Sequence, residues 1–469
     1  MLPGQVPLSV NADKIRAGEV TSVALVEQAL DAAKRYDDSN YFTELDPSKA
    51  LKQAEQIDAV AKNHKPIGKL VGVPVVVKDN IDTEGMITSA GSSAFAGWRP
   101  SKDAPIVAAL KAEGAVILGK TNMHELAYGV TSNNAFYGPV RNPYDKTRIS
   151  GGSSGGTAAA IAAGIVAAGL GTDTGGSCRM PASLCGCVGF RPSDGRYSLE
   201  GLIPLSWTRD APGPLGASVD DVALVDSICA RVKANQSAIA SLRGIRLGVP
   251  RKHFLDRLDS DVRDTFEDTL SLLKEAGAIL VYADFNDIAG ELEKTRIIVR
   301  FESIKALSGY LASHGIRRSP TELVELISGE FEKQFIASSL DSAKVDASDY
   351  LEAIIKHRPA LQASYARYFA DYGLAGFLTP ATIRPASKIG EDDTVEVDGV
   401  TGPTFLTYTH NTGPSSAAGV PCLSLPIGLS REGLPIGLDV VGPANRDGDV
   451  FSIAGLIEKS VPKIPRPPA

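Results

Sequence analysis

The stretch "LVGVPVVVKDN", residues 70–80, decides the fold. It is an apolar, β-branched run that stops at Lys78, Asp79 and Asn80, and it reads as a buried strand. The run "GAVILGKTN", 114–122, reads the same way. Between them "SKDAPIVAALKAEG" has helical spacing, with Ser101 or Asp103 near its start. Strand, helix and strand at this spacing predict a βαβ unit and an α/β fold with a parallel or mixed sheet. In such sheets function gathers where strands run into loops, and Lys78 and Asp79 sit at such an end.

Working outward, "TSVALVEQALDAAKRY", 21–36, carries apolar residues at helical spacing after a Thr-Ser start. The next such pattern follows Asp46, a fitting N-cap, with Pro47 at the first helical position. A helical segment over about residues 1–65 is therefore expected, then a core over about 66–230. From about 255 to 370 the chain becomes helical and more charged, which predicts an insertion. Sheet-like pieces return in "LAGFLTPAT" and in "GVPCLSLPIGL" with "GLPIGLDVVG", a hairpin or adjacent strands, over about 371–460. A sheet resumed after a helical excursion predicts one domain over 1–469. The proline-rich tail "VPKIPRPPA" is expected to be loosely held.

Composition excludes several classes of function. The 469 residues are 43% hydrophobic and 22% charged, with a net charge of -7 and no basic block, so nucleic acid is not an expected partner. The longest small-apolar run, "AAAIAAGIVAAGL" at 158–170, is too short to span a bilayer, and the start lacks a signal peptide's apolar stretch. No membrane association and a cytoplasmic location are expected. Five cysteines, an odd number, argue against a disulfide scaffold. Cys178, Cys185 and Cys187 cluster, but no second pair or nearby histidine completes a zinc set, so buried thiols and no metal are expected.

Two serine loops remain. "RISGGSSGGTAAAIAAG", 148–164, sets Ser153 and Ser154 between glycine pairs. It lacks the lysine of a phosphate-binding loop, and a flexible linker would not run into an apolar alanine helix. It matches Gly-x-Ser-x-Gly, but the α/β-hydrolase elbow needs an apolar strand before it, and "NPYDKTRIS" is polar. The histidines such an esterase would need, His253, His314, His357 or His410, sit in no glycine-framed loop. The second loop, "GLGTDTGGSCRMPA" at 169–182, places Ser177 after Thr174, Gly175 and Gly176. Glycines let successive N–H groups point into one concavity, as an oxyanion hole requires. One such donor lowers a barrier by about 3 kcal/mol. Asp173 and Arg179 flank this loop and are expected to brace it as an ion pair.

With "VPVVVKDNID", "GKTNMHELAYG", both serine loops and "AAGVPCLSLPIGL" in view, the chain resembles the amidase signature family of Ser-Ser-Lys hydrolases over about residues 20–455. The resemblance implies an α/β/α sandwich with a large mixed sheet. It implies Ser177 as nucleophile, Ser153 as the bridging serine with a cis peptide bond before it, and Lys78 as the base. Backbone N–H groups of Thr174, Gly175, Gly176 and Ser177 fall at the oxyanion hole, and Ser154 in a supporting place. No metal or organic cofactor is implied, and a homodimer is the implied assembly.

The departures from the family pattern bear on substrate. Cys178 follows the nucleophile where Ile or Val is usual, Met180 stands where the tRNA-dependent amidotransferase subunit carries glutamine, and Asp439 replaces a frequent glutamine. The chain looks more like the indoleacetamide and mandelamide hydrolase branch, so small aryl or arylalkyl amides are the expected substrates. An amidotransferase subunit working with partner chains is the alternative. By alignment Ala127 and Tyr128 are expected beside the acyl pocket, Cys178 is a further expected substrate-binding residue, and the insertion offers Phe301 or Phe335 to an aromatic group.

Overall fold

The computed structural model describes residues 2–62, 68–232, 237–340 and 345–468. Eleven strands among them form one mixed sheet. In chain order they are β1 (Phe42–Leu45), β2 (Pro74–Lys78), β3 (Val116–Thr121), β4 (Ala168–Asp173), β5 (Val188–Arg191), β6 (Ala211–Gly216), β7 (Arg246–Gly248), β8 (Ile279–Val281), β9 (Gly376–Pro380), β10 (Cys422–Leu429) and β11 (Pro435–Val441). Across the sheet they run β1-β3-β2-β4-β6-β5-β10-β11-β9-β7-β8.

The valine run before Lys78 is β2, near the middle of one half. It pairs in parallel with β3 on one side and β4 on the other, and the helix Pro105–Ala112 makes the crossover to β3. Its apolar residues do not alternate with polar ones because both faces are covered. Val75 and Val77 pack with Leu8, Val107 and Val225 on one face. Val76 packs with Val26, Ala158 and Ala159 on the other. The two-residue period of a strand then puts Lys78 on the side of Val76, facing the helix Gly155–Ala162 that follows the first serine loop.

Asp46 caps its helix by accepting from the Lys49 N–H at 2.9 Å, and β10 and β11 form an antiparallel hairpin. Two expectations need correction. The opening segment is not wholly helical: Phe42–Leu45 forms an edge strand antiparallel to β3. The stretch from 255 is not wholly helical either. Ile279–Val281 pairs in parallel with β7 across the helix Ser260–Glu275, a second βαβ unit at the far edge. Both strands are only three or four residues long, too short for periodicity to stand out. Helices then dominate from Ile288 to Tyr372. Among the described residues no helix is long and apolar enough to cross a membrane.

Candidate active site

Lys78, the last residue of β2, is completely buried. Its Nζ lies 2.8 Å from Ser153 Oγ and 2.7 Å from Thr172 Oγ1. Burial pushes its pKa down to about 7, against the pull of Cys178, Asp173 and Asp210. A buried amine tuned to neutrality takes up and releases a proton readily at ordinary pH.

The peptide bond between Gly152 and Ser153 is cis. The Ser153 carbonyl accepts from the His124 N–H at 3.2 Å. Ser154 ties the two serine loops together: its N–H donates to the Ser177 carbonyl at 3.1 Å, and its Oγ lies 3.2 Å from the Thr172 carbonyl. The helix after it begins in glycine because the chain passes very close to β3. A Cβ on Gly156 would sit 2.4 Å from the Asn122 carbonyl oxygen and 2.5 Å from that of Tyr41.

Ser177 follows β4 in a tight turn and is 6% exposed. Its hydroxyl makes no hydrogen bond to any described residue. The turn is shaped by Asp173, whose carboxylate accepts from the N–H groups of Gly176 (2.9 Å) and Cys178 (3.2 Å) and from Arg179 Nε (3.0 Å). Burial alone would raise the Asp173 pKa, but Arg179 and Arg191 outweigh it and hold the carboxyl well below the usual range. Arg179 also reaches Ser415, Ser416 and the Thr412 carbonyl, so it pins the turn to the helix Thr412–Ala418. Gly176 has φ +124°, and a Cβ there would lie 2.2 Å from Thr412 Oγ1.

Of the four N–H groups expected at the oxyanion hole, that of Gly176 is engaged by Asp173 instead. The carboxylate, three residues back in the turn, captures it as a local side-chain acceptor. Those of Thr174, Gly175 and Ser177 find no acceptor among the described residues.

Asn80, Ala127, Thr172, Thr174, Leu202, Leu205 and Asp210 line a narrow cleft. Ala127 in this lining and its neighbour Leu126 adopt the left-handed backbone conformation (φ +64° and +51°) that non-glycine residues rarely enter. Tyr128 is buried beside it, with its ring 5.3 Å from that of Phe335. Two expected lining residues are elsewhere. Cys178 is fully buried, with Sγ 3.6 Å from the Gly213 carbonyl, and packs into the core among Ala182 and Leu215. Phe301 lies flat on Tyr350 at 4.0 Å, and the Lys305 ammonium is 3.8 Å from the same ring centre. Two groups that close require opposite faces, so neither face of Phe301 is left for a ligand.

Sequence reasoning missed Thr172, Asn80 and Asp210. Thr172 Oγ1 accepts from Asn80 Nδ2 at 3.2 Å as well as from Lys78, and Asp210 accepts from the Thr174 hydroxyl at 2.6 Å. It also missed Lys120, a second buried lysine, which faces Asp79 at 3.9 Å and donates to the Ile81 carbonyl at 2.6 Å. The position of Asp79, accepting from Ser89 and from the Gly91 N–H, is that of a brace under the β2 loop. The insertion is fastened to the core by Glu302, which accepts from Ser206 and Tyr350, and by Glu332, which contacts His124. His253 and His410 stack on each other and bond each other's carbonyls. Cys178, Cys185 and Cys187 are buried and meet three different carbonyls, of Gly213, Ser150 and Ala158.

The chain belongs to the Amidase family, whose model matches residues 24–451. It is similar to the Indoleacetamide hydrolase of Allorhizobium ampelinum, 36% identical over 93% of this chain and 94% of that one. It is also similar to the Mandelamide hydrolase of Pseudomonas putida, 36% identical over 97% of this chain and 91% of that one. A Glutamyl-tRNA(Gln) amidotransferase chain of Koribacter versatilis is 33% identical over 97% of this chain and 98% of its own length. Among solved structures, one described as an amidase superposes with a TM-score of 0.86 at 34% identity, covering 97% of this chain and all of the other. Family and relatives together support an enzyme that hydrolyses amides.

Proposed function

We propose that the chain hydrolyses small aryl or arylalkyl amides to a carboxylate and ammonia or an amine through an acyl-Ser177 intermediate. The observation that carries this reading is the sealed amine of Lys78, 2.8 Å from Ser153 Oγ, with its pKa near 7. As a neutral amine, Lys78 takes the proton of Ser153 while Ser153 takes that of Ser177. The freed Ser177 oxygen attacks the amide carbon. The N–H groups of Thr174, Gly175 and Ser177 receive the charge that develops on the carbonyl oxygen. The proton returns through Ser153 to the leaving nitrogen, which departs as amine. Water then attacks the acyl ester by the same relay reversed, and the carboxylate leaves.

The names of the two hydrolase relatives favour amides bearing an aromatic ring, and Ala127, Leu202 and Leu205 give the cleft apolar walls for one. The test is ammonia release by the purified chain given indoleacetamide, mandelamide and phenylacetamide. Steady release by the chain alone, absent from Ser177→Ala, is expected. Release that appears only after other protein chains are added would replace this reading with the amidotransferase one.

A further inference from the structure

Four arginines lie near one another behind the turn after β4, and one of them has no ion-pair partner among the described residues. Arg191 pairs with Asp173 and Asp194, Arg358 with Asp194, and Arg296 with Glu293. Arg209 is 7% exposed, and its Nε is buried without an acceptor. Its guanidinium makes no hydrogen bond or ion pair with any described residue. The surrounding charge makes this worse: Arg191, Arg358 and Arg296 all repel it, against the pull of Asp173.

The backbone of Arg209 is tied to the residues of the turn after β4. The Arg209 carbonyl accepts from Arg191 Nη1 at 2.9 Å, and that same arginine holds the Asp173 carbonyl. The next residue, Asp210, takes the Thr174 hydroxyl and lines the cleft. A buried charge with no partner is costly, by several kcal/mol after relaxation. Burial pushes the Arg209 pKa down to about 10, so the cost is not relieved by losing the proton at neutral pH. An arriving anion relieves it.

We propose that Arg209 anchors a carboxylate-binding site beside the catalytic turn. The planar guanidinium fork matches a carboxylate with two parallel N–H···O bonds. The choice of carboxylate rests on the proposed amide hydrolysis, which offers two sources: the acid released, or a second carboxylate carried by the substrate.

The test measures binding without turnover, in full-length Ser177→Ala protein, by titration calorimetry. The probes are phenylacetate, its neutral counterpart phenylacetamide, and succinamate, an amide with a second carboxylate. Adding Arg209→Gln is expected to weaken at least one of the two anions about tenfold or more relative to phenylacetamide. Loss confined to phenylacetate identifies the released acid as ligand, and loss confined to succinamate identifies a distal carboxylate. Arg209→Lys, which keeps the charge, is expected to recover part of the affinity and controls for a folding defect. Unchanged binding of both anions, or an equal loss for phenylacetamide, overturns the site and leaves a packing role. Because the readout is binding, anions held through Arg209 by a chain that cleaves no amide would sink the proposed reaction and not this site.

Discussion

Lys78 and Ser153 are 75 residues apart in the chain, and their Nζ and Oγ meet at 2.8 Å in a place closed to solvent. The strand β2 delivers the first and the glycine-framed loop the second. If that amine is the base, it must be neutral to work. Activity is then expected to fall as pH drops through about 7 and to level off above it, where the amine has lost its proton. Lys78→Ala is expected to lower kcat roughly 10²–10⁴-fold. A pH profile of kcat/KM checks both, and a wild-type profile flat from pH 5 to 9 would be inconsistent with the role.

Thr172 offers a finer check. Its hydroxyl oxygen accepts from Lys78 Nζ, which favours the charged amine. Thr172→Val removes that acceptor, so the Lys78 pKa is expected to move further down. The rising limb of the pH profile should shift to lower pH, with a loss of kcat. A shift to higher pH would mean that the threonine works in the opposite sense.

Gly175 and Gly176 are adjacent, yet alanine is expected to affect them very differently. At Gly175 a Cβ meets nothing nearer than Thr409 Cγ2 at 4.0 Å. At Gly176 it would strike Thr412 in a conformation that alanine avoids. Gly176→Ala is expected to cost about 1–3 kcal/mol or more of stability, and Gly175→Ala much less. Thermal melts of the two variants make the comparison.

Asp173→Asn leaves Arg179 and Arg191 without their shared carboxylate. Breaking a buried pair of this kind costs about 3–5 kcal/mol. The folded pKa of Asp173 is depressed, so its contribution is present above the unfolded value of about 3.9 and is lost as pH falls below it. Urea denaturation at pH 7 should find the variant much less stable, and the gap from wild type should narrow in acid.

The sequence was legible where a physical constraint leaves few choices. The valine run of β2 had to be covered on both faces, which made it a central strand and put Lys78 at its end. The glycines around Ser153 and Ser177 announced close backbone approach, and the family pattern tied the two loops to Lys78. Legibility ended where tertiary context decides. β1 and β8 are too short to carry a period. Cys178 follows Ser177 in the chain, but the turn sends its side chain into the core. Phe301 has the aromatic ring a substrate pocket needs, but Tyr350 and Lys305 occupy its faces. Gly176 looked like an oxyanion donor until the Asp173 carboxylate was placed in space. Alternation along β4 would have singled out Thr172, but nothing in one dimension pairs it with Lys78.

The most direct measurement labels the attacking atom. The protein is treated with an aryl sulfonyl fluoride, digested, and its peptides are mapped by mass spectrometry. One adduct on Ser177 is expected, with labelling slowed strongly in Lys78→Ala and in Ser153→Ala. An adduct elsewhere that abolishes amide hydrolysis, or full hydrolysis by Ser177→Ala, would contradict the account.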